Sequence, residues 1–322
     1  MMKKLLKEKT AFVSDMLKGM ALTDDTHEVI ADSVIVRKDK KQGKVALISG
    51  GGSGHEPAHA GYVAEGMLDA AVCGEVFTSP TPDKVLEAIK AVATDAGVLL
   101  IIKNYAGDVM NFEMAMEMAE MEDIKVDRVV IADDIAIDNK EQRRGVAGTV
   151  FVHKIAGYYA DQGLSLEEVK AKVEAVLPNM ATIGMALEPC MVPTTGDYGF
   201  QLADDEMEIG IGIHGEKGIY REKVESVDKI IERLMHEIEK ELEFDQAIVM
   251  LNGMGGTPLS ELNVAAYYLN TYFSGNNKTI TKLYVGNYMT ALDMQGFSIT
   301  VLKHDDEYVE ALNSSTASRY FF

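Results

Sequence analysis

The sequence predicts an α/β protein made of two α/β domains, each built on a β-sheet flanked by helices. Short Val/Ile/Leu-rich runs alternate with helical stretches along the chain, the pattern of sheets covered by helices. At 322 residues the chain exceeds the roughly 100–200 residues of one domain. The alternation restarts after Leu177-Pro178-Asn179, which divides the chain into an N-terminal domain of residues 1–180, holding a glycine-rich ligand loop, and a C-terminal domain of residues 181–322.

In chain order, Leu5, Leu6, Phe12, Val13, Met16, Leu17 and Met20 line one face of an opening helix over residues 5–22. Strands follow at Ser33–Arg37, Val45–Ser49, Gly97–Lys103 and Val126–Ala132; their apolar runs suit a largely parallel sheet buried on both faces. Pro82–Val92, Asp108–Glu122 and Val146–Asp161 read as helices between and after them. The second unit opens with strand Ala181–Leu187 and a connection rich in Pro and Gly through Pro189, Pro193 and Gly196. It continues with strand Met207–Ile213, a charged helix near Val224–Glu243, strand Ala247–Leu251, a helix beyond Pro258, and strands Lys282–Val285 and Phe297–Lys303.

Thirty-one basic residues against 51 acidic ones give a formal charge of −20, which repels nucleic acid and anionic lipid, so neither is an expected partner. No stretch approaches the about 18 apolar residues of a membrane span, and the N-terminus lacks a leader's apolar core and cleavage site. A cytoplasmic location is expected. Cys73 and Cys190 are too few for a disulfide framework, lack metal spacing, and read as small buried apolar side chains.

The run Ser49-Gly50-Gly51-Gly52-Ser53-Gly54-His55-Glu56-Pro57-Ala58-His59 follows a buried strand and presents bare peptide N–H groups and a histidine to a polar ligand. It contains H-E-x-x-H, but Pro57 and the upstream glycines argue against the helix that zinc ligation by this motif needs; no metal is expected. It resembles a phosphate loop, yet no lysine follows Gly54 to reach β- and γ-phosphates, so no nucleotide site is expected in this chain. Gly210-Ile211-Gly212-Ile213-His214-Gly215 matches the dinucleotide fingerprint letter for letter. It lies within a predicted strand where a helix should open, so the nicotinamide reading fails on context.

Lys103-Asn104-Tyr105-Ala106-Gly107-Asp108 follows a predicted strand at its carboxyl end, which projects Lys103 and Asp108 where open α/β sheets bind ligands. A strand-end ion pair and a helix cap are the bland alternatives. His214, flanked by Gly212 and Gly215, matches His55 as an imidazole in a glycine-flanked loop, a neutral nucleophile near pH 7. Asn252–Pro258 and Gly286–Thr290 fit either ligand walls or packing turns, and Arg143–Thr149 fits either an anion-binding helix start or a subunit contact. His153 and His236 fall on predicted helices and read as core or surface residues.

Seven motifs in order run through nearly the whole chain: SGGGSGHEPAHAG at Ser49–Gly61, GEVFTSPTP at Gly74–Pro82, KNYAGDVMNFE at Lys103–Glu113, RRGVAGT at Arg143–Thr149, EMEIGIGIHGE at Glu206–Glu216, NGMGGTP at Asn252–Pro258 and GNYMTALDMQGFS at Gly286–Ser298. On them the sequence resembles the dihydroxyacetone-binding part of the dihydroxyacetone kinase family. The resemblance implies that His214 attacks the ketone carbon of dihydroxyacetone and holds it as a covalent hemiaminal. It implies that His55 and Asp108 act as acid/base groups, and that Lys103 and the Gly52–Ser53 backbone bind the ligand oxygens. Single-chain relatives carry a further ATP-binding domain after this part, whereas this sequence ends at Phe322. The expected subtype is therefore the bacterial phosphotransferase-dependent one. There a separate nucleotide-binding kinase subunit carries ADP and Mg and is recharged by a phosphohistidine protein, and the substrate-binding subunit is a homodimer. The rival reading is a ligand-sensing transcriptional co-activator that keeps the covalent site; a fatty-acid or other carrier is disfavoured by the polar glycine loops.

Overall fold

In the computed structural model, which describes residues 4–321, the opening helix α1 (Phe12–Thr23) starts later than the apolar spacing predicts. Residues 4–9 are drawn away from it by distant partners: Lys4 pairs with Asp293, and Lys9 Nζ donates to the Thr194 carbonyl at 2.7 Å. β1 (His27–Ile30), β2 (Val34–Arg37), β3 (Ala46–Ser53) and β4 (Ala70–Val76) follow, then α2 (Pro82–Val92), β5 (Val98–Lys103), α3 (Ala106–Glu120) and β6 (Val126–Ile131). They form a six-stranded sheet in the order β1-β2-β4-β3-β5-β6. β4, β3, β5 and β6 are parallel, as expected, but β1 and β2 join antiparallel, so the sheet is mixed.

Periodicity along the sequence does not reveal β1 and β4. β4 is Ala-Ala-Val-Cys-Gly-Glu-Val, with little β-propensity of its own; it is a strand because β2 and β3 pair with it on both edges. Its small residues answer the glycines opposite. A β-carbon on Gly50 would lie 2.3 Å from the Val72 carbonyl oxygen.

α4 (Thr149–Asp161), α5 (Leu166–Val176) and β7 (Met180–Glu188) lead into the second sheet. It continues with β8 (Glu206–Ile209), β9 (Tyr220–Lys223), α6 (Val227–Glu241), β10 (Gln246–Gly253), α7 (Leu259–Gly275), β11 (Thr279–Gly286), β12 (Gln295–Lys303) and the closing α8 (Asp306–Asn313). The strand order is β11-β10-β12-β7-β8-β9, antiparallel except for β10 with β11. The strand expected over Met207–Ile213 stops at Ile209, because Gly210 turns at φ +77° and Ile219 N–H returns to the Ile209 carbonyl at 2.8 Å. β9, α5 and α8 are further elements that the periodicity did not reveal.

Alternation along the strands sorts the core into layers. Ala46 and Ile48 of β3, with Val98, Leu100 and Ile102 of β5, face α2 and α3; Leu47, Leu99 and Ile101 face the other way. In β10, Ala247, Val249 and Leu251 pack toward α6 and α7, whereas Ile248 and Met250 join the cluster reached by Leu47 and Leu99. One apolar cluster therefore joins the two sheets, and α4 runs through it with eleven of its 13 residues buried. A helix buried on nearly every side belongs in such a place, and its buried polar groups His153 and Lys154 find partners there. Among the described residues, no helix is long and apolar enough to cross a membrane.

Gly157 lets α4 approach the chain beneath it, since a β-carbon there would lie 2.2 Å from the Gly66 carbonyl oxygen. Glycine to alanine in a helix ordinarily stabilises by up to about 1 kcal/mol. Gly157→Ala is expected to do the reverse, lowering the unfolding free energy by about 1–3 kcal/mol through overpacking. Urea denaturation checks this; a stabilised variant would contradict the packing assigned to α4.

Candidate functional site

The parallel strands β3, β4 and β5 deliver their carboxyl ends to one edge of the first sheet, and the site is built there. β3 extends beyond its expected end at Ser49 and carries Gly50–Ser53 in the sheet. Gly51 sits at φ +144°, and a β-carbon on it would fall 2.2 Å from Lys103 Nζ and 3.0 Å from Asp108 Oδ2. Gly52 touches the following turn, where a β-carbon would meet Thr78 N at 2.6 Å, and the Ser53 hydroxyl donates to the Gly74 carbonyl at 2.6 Å. The glycines thus give room both to backbone and to one buried amine.

That amine is Lys103 Nζ, fully buried at the end of β5. Its three donor directions reach the Gly50 carbonyl at 2.9 Å, His59 Nε2 at 3.1 Å and Asp108 Oδ2 at 3.4 Å. Asp108 is not a helix cap: α3 begins at Ala106, with Tyr105 at the cap position, and places Asp108 in its first turn. Oδ2 faces Lys103 while the buried Oδ1 has no hydrogen-bond partner. Because Lys103 donates to Nε2, the His59 proton lies on Nδ1, which faces His153 Nε2 at 2.9 Å and Ser49 Oγ at 3.3 Å. His153 is therefore protonated on Nδ1, a buried atom without a partner.

His55 and His214 come together across the two halves of the chain. Their ring centroids are 4.8 Å apart, and Phe77 lies 5.5 Å from each. Tyr105 packs edge-on against His214 at 4.3 Å. His55 Nδ1 faces the Thr290 carbonyl at 2.9 Å, leaving Nε2 buried and without a partner. The loop after β11 is stitched to this segment by backbone bonds, Thr290 N–H to the His55 carbonyl at 3.1 Å and Leu292 N–H to the Gly54 carbonyl at 2.7 Å.

Burial keeps these imidazoles neutral. It pushes His55 down to about 3, helped by the positive charge of Lys103 and opposed by the Thr290 carbonyl. Burial and Lys103 likewise bring His153 to about 3. His214 lies well below the ordinary range through burial, then His55, Lys103 and Arg144; His59 does so through burial, Lys103 and its two histidine neighbours. The same desolvation acts on both buried thiols, raising Cys73 to about 12 and Cys190 to about 11.

The Dak1 domain model matches residues 18–320. The chain belongs to that family. It is 52% identical over 314 residues to the PTS-dependent dihydroxyacetone kinase 1, dihydroxyacetone-binding subunit DhaK of Listeria innocua, covering 95% of each chain. Among solved structures it resembles the dihydroxyacetone kinase operon co-activator DhaQ, with a TM-score of 0.92 and 36% identity over 96% of this chain and 98% of that one. It also resembles the native dihydroxyacetone kinase of C. freundii, with a TM-score of 0.94 and 35% identity over the whole of this chain and 60% of that one.

In this Dak1 chain the two motif coincidences resolve by geometry. His55–His59 is a turn and not a helix, and its imidazoles face different neighbours, His214 and His153. No helix opens within Gly210–Gly215. The two glycine turns of the second sheet are tied together in front of Thr290: Asn252 Oδ1 accepts the N–H groups of Tyr288 and Met289 at 2.9 Å each, and its Nδ2 donates to the Met289 carbonyl at 2.7 Å. Phe77, Tyr105 and His59 lie inside the family motifs, yet the sequence assigned them no role. Thr290 lies in the Gly286–Thr290 turn, which the sequence left open between ligand wall and packing turn, and His153 read only as a core or surface residue of a helix; the fold brings both to the site.

Each depressed histidine binds fewer protons in the folded than in the unfolded chain. Its contribution to stability is whole above the unfolded value of about 6.5 and is lost as the pH falls toward the folded value. The ring resonances of His55 and His153 are accordingly expected to keep their neutral shifts from pH 8 to pH 5. A titration midpoint above pH 5 for either, read by NMR, would contradict the burial described.

Proposed function

We propose that this chain is the substrate-binding subunit of a dihydroxyacetone kinase and holds dihydroxyacetone covalently on His214. The observation that carries the reading is the meeting of two neutral imidazoles, His55 and His214, with His55 Nε2 buried and unpartnered; Asp108, paired with Lys103 through Oδ2, keeps an unpartnered Oδ1. The unprotonated ring nitrogen of His214 adds to the ketone carbon, and the carbonyl π-electrons pass to oxygen. That oxygen takes up one proton, the ring gives up the proton of its other nitrogen, and a neutral hemiaminal results. His55 Nε2 is the group offered for that transfer. Glycerol has no sp² carbon and is not captured.

The fixed ligand then presents a terminal hydroxyl, whose oxygen attacks a phosphoryl group as Asp108 accepts its proton. Lys103 holds Asp108 in place, and the Gly52–Ser53 backbone is offered to the ligand oxygens. The phosphoryl donor is a separate nucleotide-binding subunit carrying ADP and Mg, recharged by a phosphohistidine protein of a phosphotransferase system. The chain works as a cytoplasmic homodimer. The greater identity to the Listeria dihydroxyacetone-binding subunit, 52% against 36% for the co-activator, favours the kinase reading over the ligand-sensing one.

His214→Ala is expected to abolish the adduct, and an adduct detected in that variant would sink the role of His214. Asp108→Asn is expected to keep the adduct and lose phosphorylation by roughly 10²–10⁴-fold, because an amide cannot take the hydroxyl proton; unimpaired turnover would reject the assignment. Mixing the chain with dihydroxyacetone and ATP alone, then with an ADP-loaded partner subunit and its phosphohistidine donor, tests the division of labour. Product only in the second mixture supports it, product with ATP alone refutes it, and product in neither favours the co-activator.

A further inference from the structure

One guanidinium joins the segment after β6 to the loop that carries His214. Arg144 Nε and Nη2 hold Asp134 Oδ2 at 2.6 Å, Nη2 also donates to the Gly210 carbonyl at 2.9 Å, and Nη1 donates to Glu216 Oε1 at 3.0 Å. The other oxygen of Glu216 accepts the peptide N–H of His214 at 2.7 Å. Asp134 is itself anchored: Oδ1 accepts the Ala136 N–H at 3.0 Å, its N–H bonds the Arg144 carbonyl at 3.0 Å, and it bridges Thr182 of β7. Gly212 leaves the space, since a β-carbon there would lie 1.8 Å from Glu216 Oε1 and 2.8 Å from Arg144 Nη1. The donors of Arg144 are thus spent within the chain, on Asp134, Gly210 and Glu216.

We infer that Arg144, acting through Glu216, is the positioning residue for His214, an inference that rests on the adduct chemistry proposed above. The loop contains Gly210, Gly212 and Gly215, two of them at positive φ, and has little stiffness of its own. Phe77, Tyr105 and His55 confine the ring, but the Glu216 carboxylate holds the backbone from which the ring projects. A carbonyl addition needs its nitrogen in line with the carbon, and a misplacement of about 1 Å costs on the order of 10²-fold. Lysine cannot replace the fork, because it lacks the fixed planar donors that meet Asp134, Glu216 and Gly210 together.

The test uses Arg144→Lys, Gly212→Ala, their double variant and Glu216→Gln in the full chain. Two quantities are read by NMR: hydrogen exchange of the His214 amide without ligand, and the adduct equilibrium with dihydroxyacetone labelled at its carbonyl carbon. Arg144→Lys and Gly212→Ala are each expected to speed His214 exchange about tenfold or more and to weaken the adduct about 10- to 100-fold. The double variant should be no worse than the singles, because both break one link. A merely structural role would lower the melting temperature without moving the adduct equilibrium. Unchanged adduct affinity in folded Arg144→Lys, unchanged His214 exchange, or additive losses in the double variant would overturn the inference. Should the first variants not fold, Glu216→Gln keeps the shape and an acceptor oxygen: a weakened adduct in it supports the inference, and an unchanged one overturns it. Absence of adduct in the unmodified chain would refute the covalent reading instead, and His214 exchange would still decide whether Arg144 holds the loop.

Discussion

A fully buried amine at the end of β5 is the constraint around which the first half of the site is arranged. Lys103 Nζ is shut off from bulk solvent, so its charge calls for acceptors from the protein, and three come from β3, from the turn after the glycine run and from the first turn of α3. Gly51 follows from the same demand, since any side chain there would occupy the position of Nζ. Removing one partner from a buried charged pair typically costs about 3–5 kcal/mol, so the register of β3 against β5 and the start of α3 are tied to one another through this atom.

The donor pattern imposed by Lys103 passes inward. His59 must accept on Nε2, so it donates from Nδ1, and His153 in the middle of α4 must accept in turn. α4 is the helix shared by the two sheets, so the tautomers at the site edge are fixed from the common core of the molecule. The positive charge also works through space, lowering the proton affinity of His55 and His214 beyond what burial alone does. Desolvation has opposite consequences for the candidate nucleophiles. A neutral imidazole is the reactive form, whereas a thiol held at about 11 or 12 is kept from its reactive thiolate, which leaves Cys73 and Cys190 as packing residues.

The two halves of the chain meet at the site through two unlike devices. On one side the backbone of Gly54 and His55 is hydrogen-bonded to Thr290 and Leu292, behind which Asn252 fixes the turn. On the other side Arg144 ties Asp134 to the loop of His214. Glycines appear at both junctions for a steric reason, namely that backbone, carboxylate or amine lies where a β-carbon would be.

Much of this was legible in the sequence because it is local. The alternation of apolar runs with helical stretches implied two sheets flanked by helices, and the carboxyl ends of β3 and β5 marked the glycine run, Lys103 and Asp108 as a ligand edge. Strands poor in β-formers, such as β4, escaped because pairing rather than propensity makes them. The glycine-flanked imidazoles were visible as a pair of like features, and family resemblance named a chemistry for them. Their 4.8 Å approach, the fate of each Lys103 donor, the recruitment of His153 and Thr290, and the turn of Arg144 toward Glu216 were decided by the tertiary structure alone. These are contacts between distant segments whose strength comes from burial, and periodicity along a chain carries no record of which buried groups will face one another.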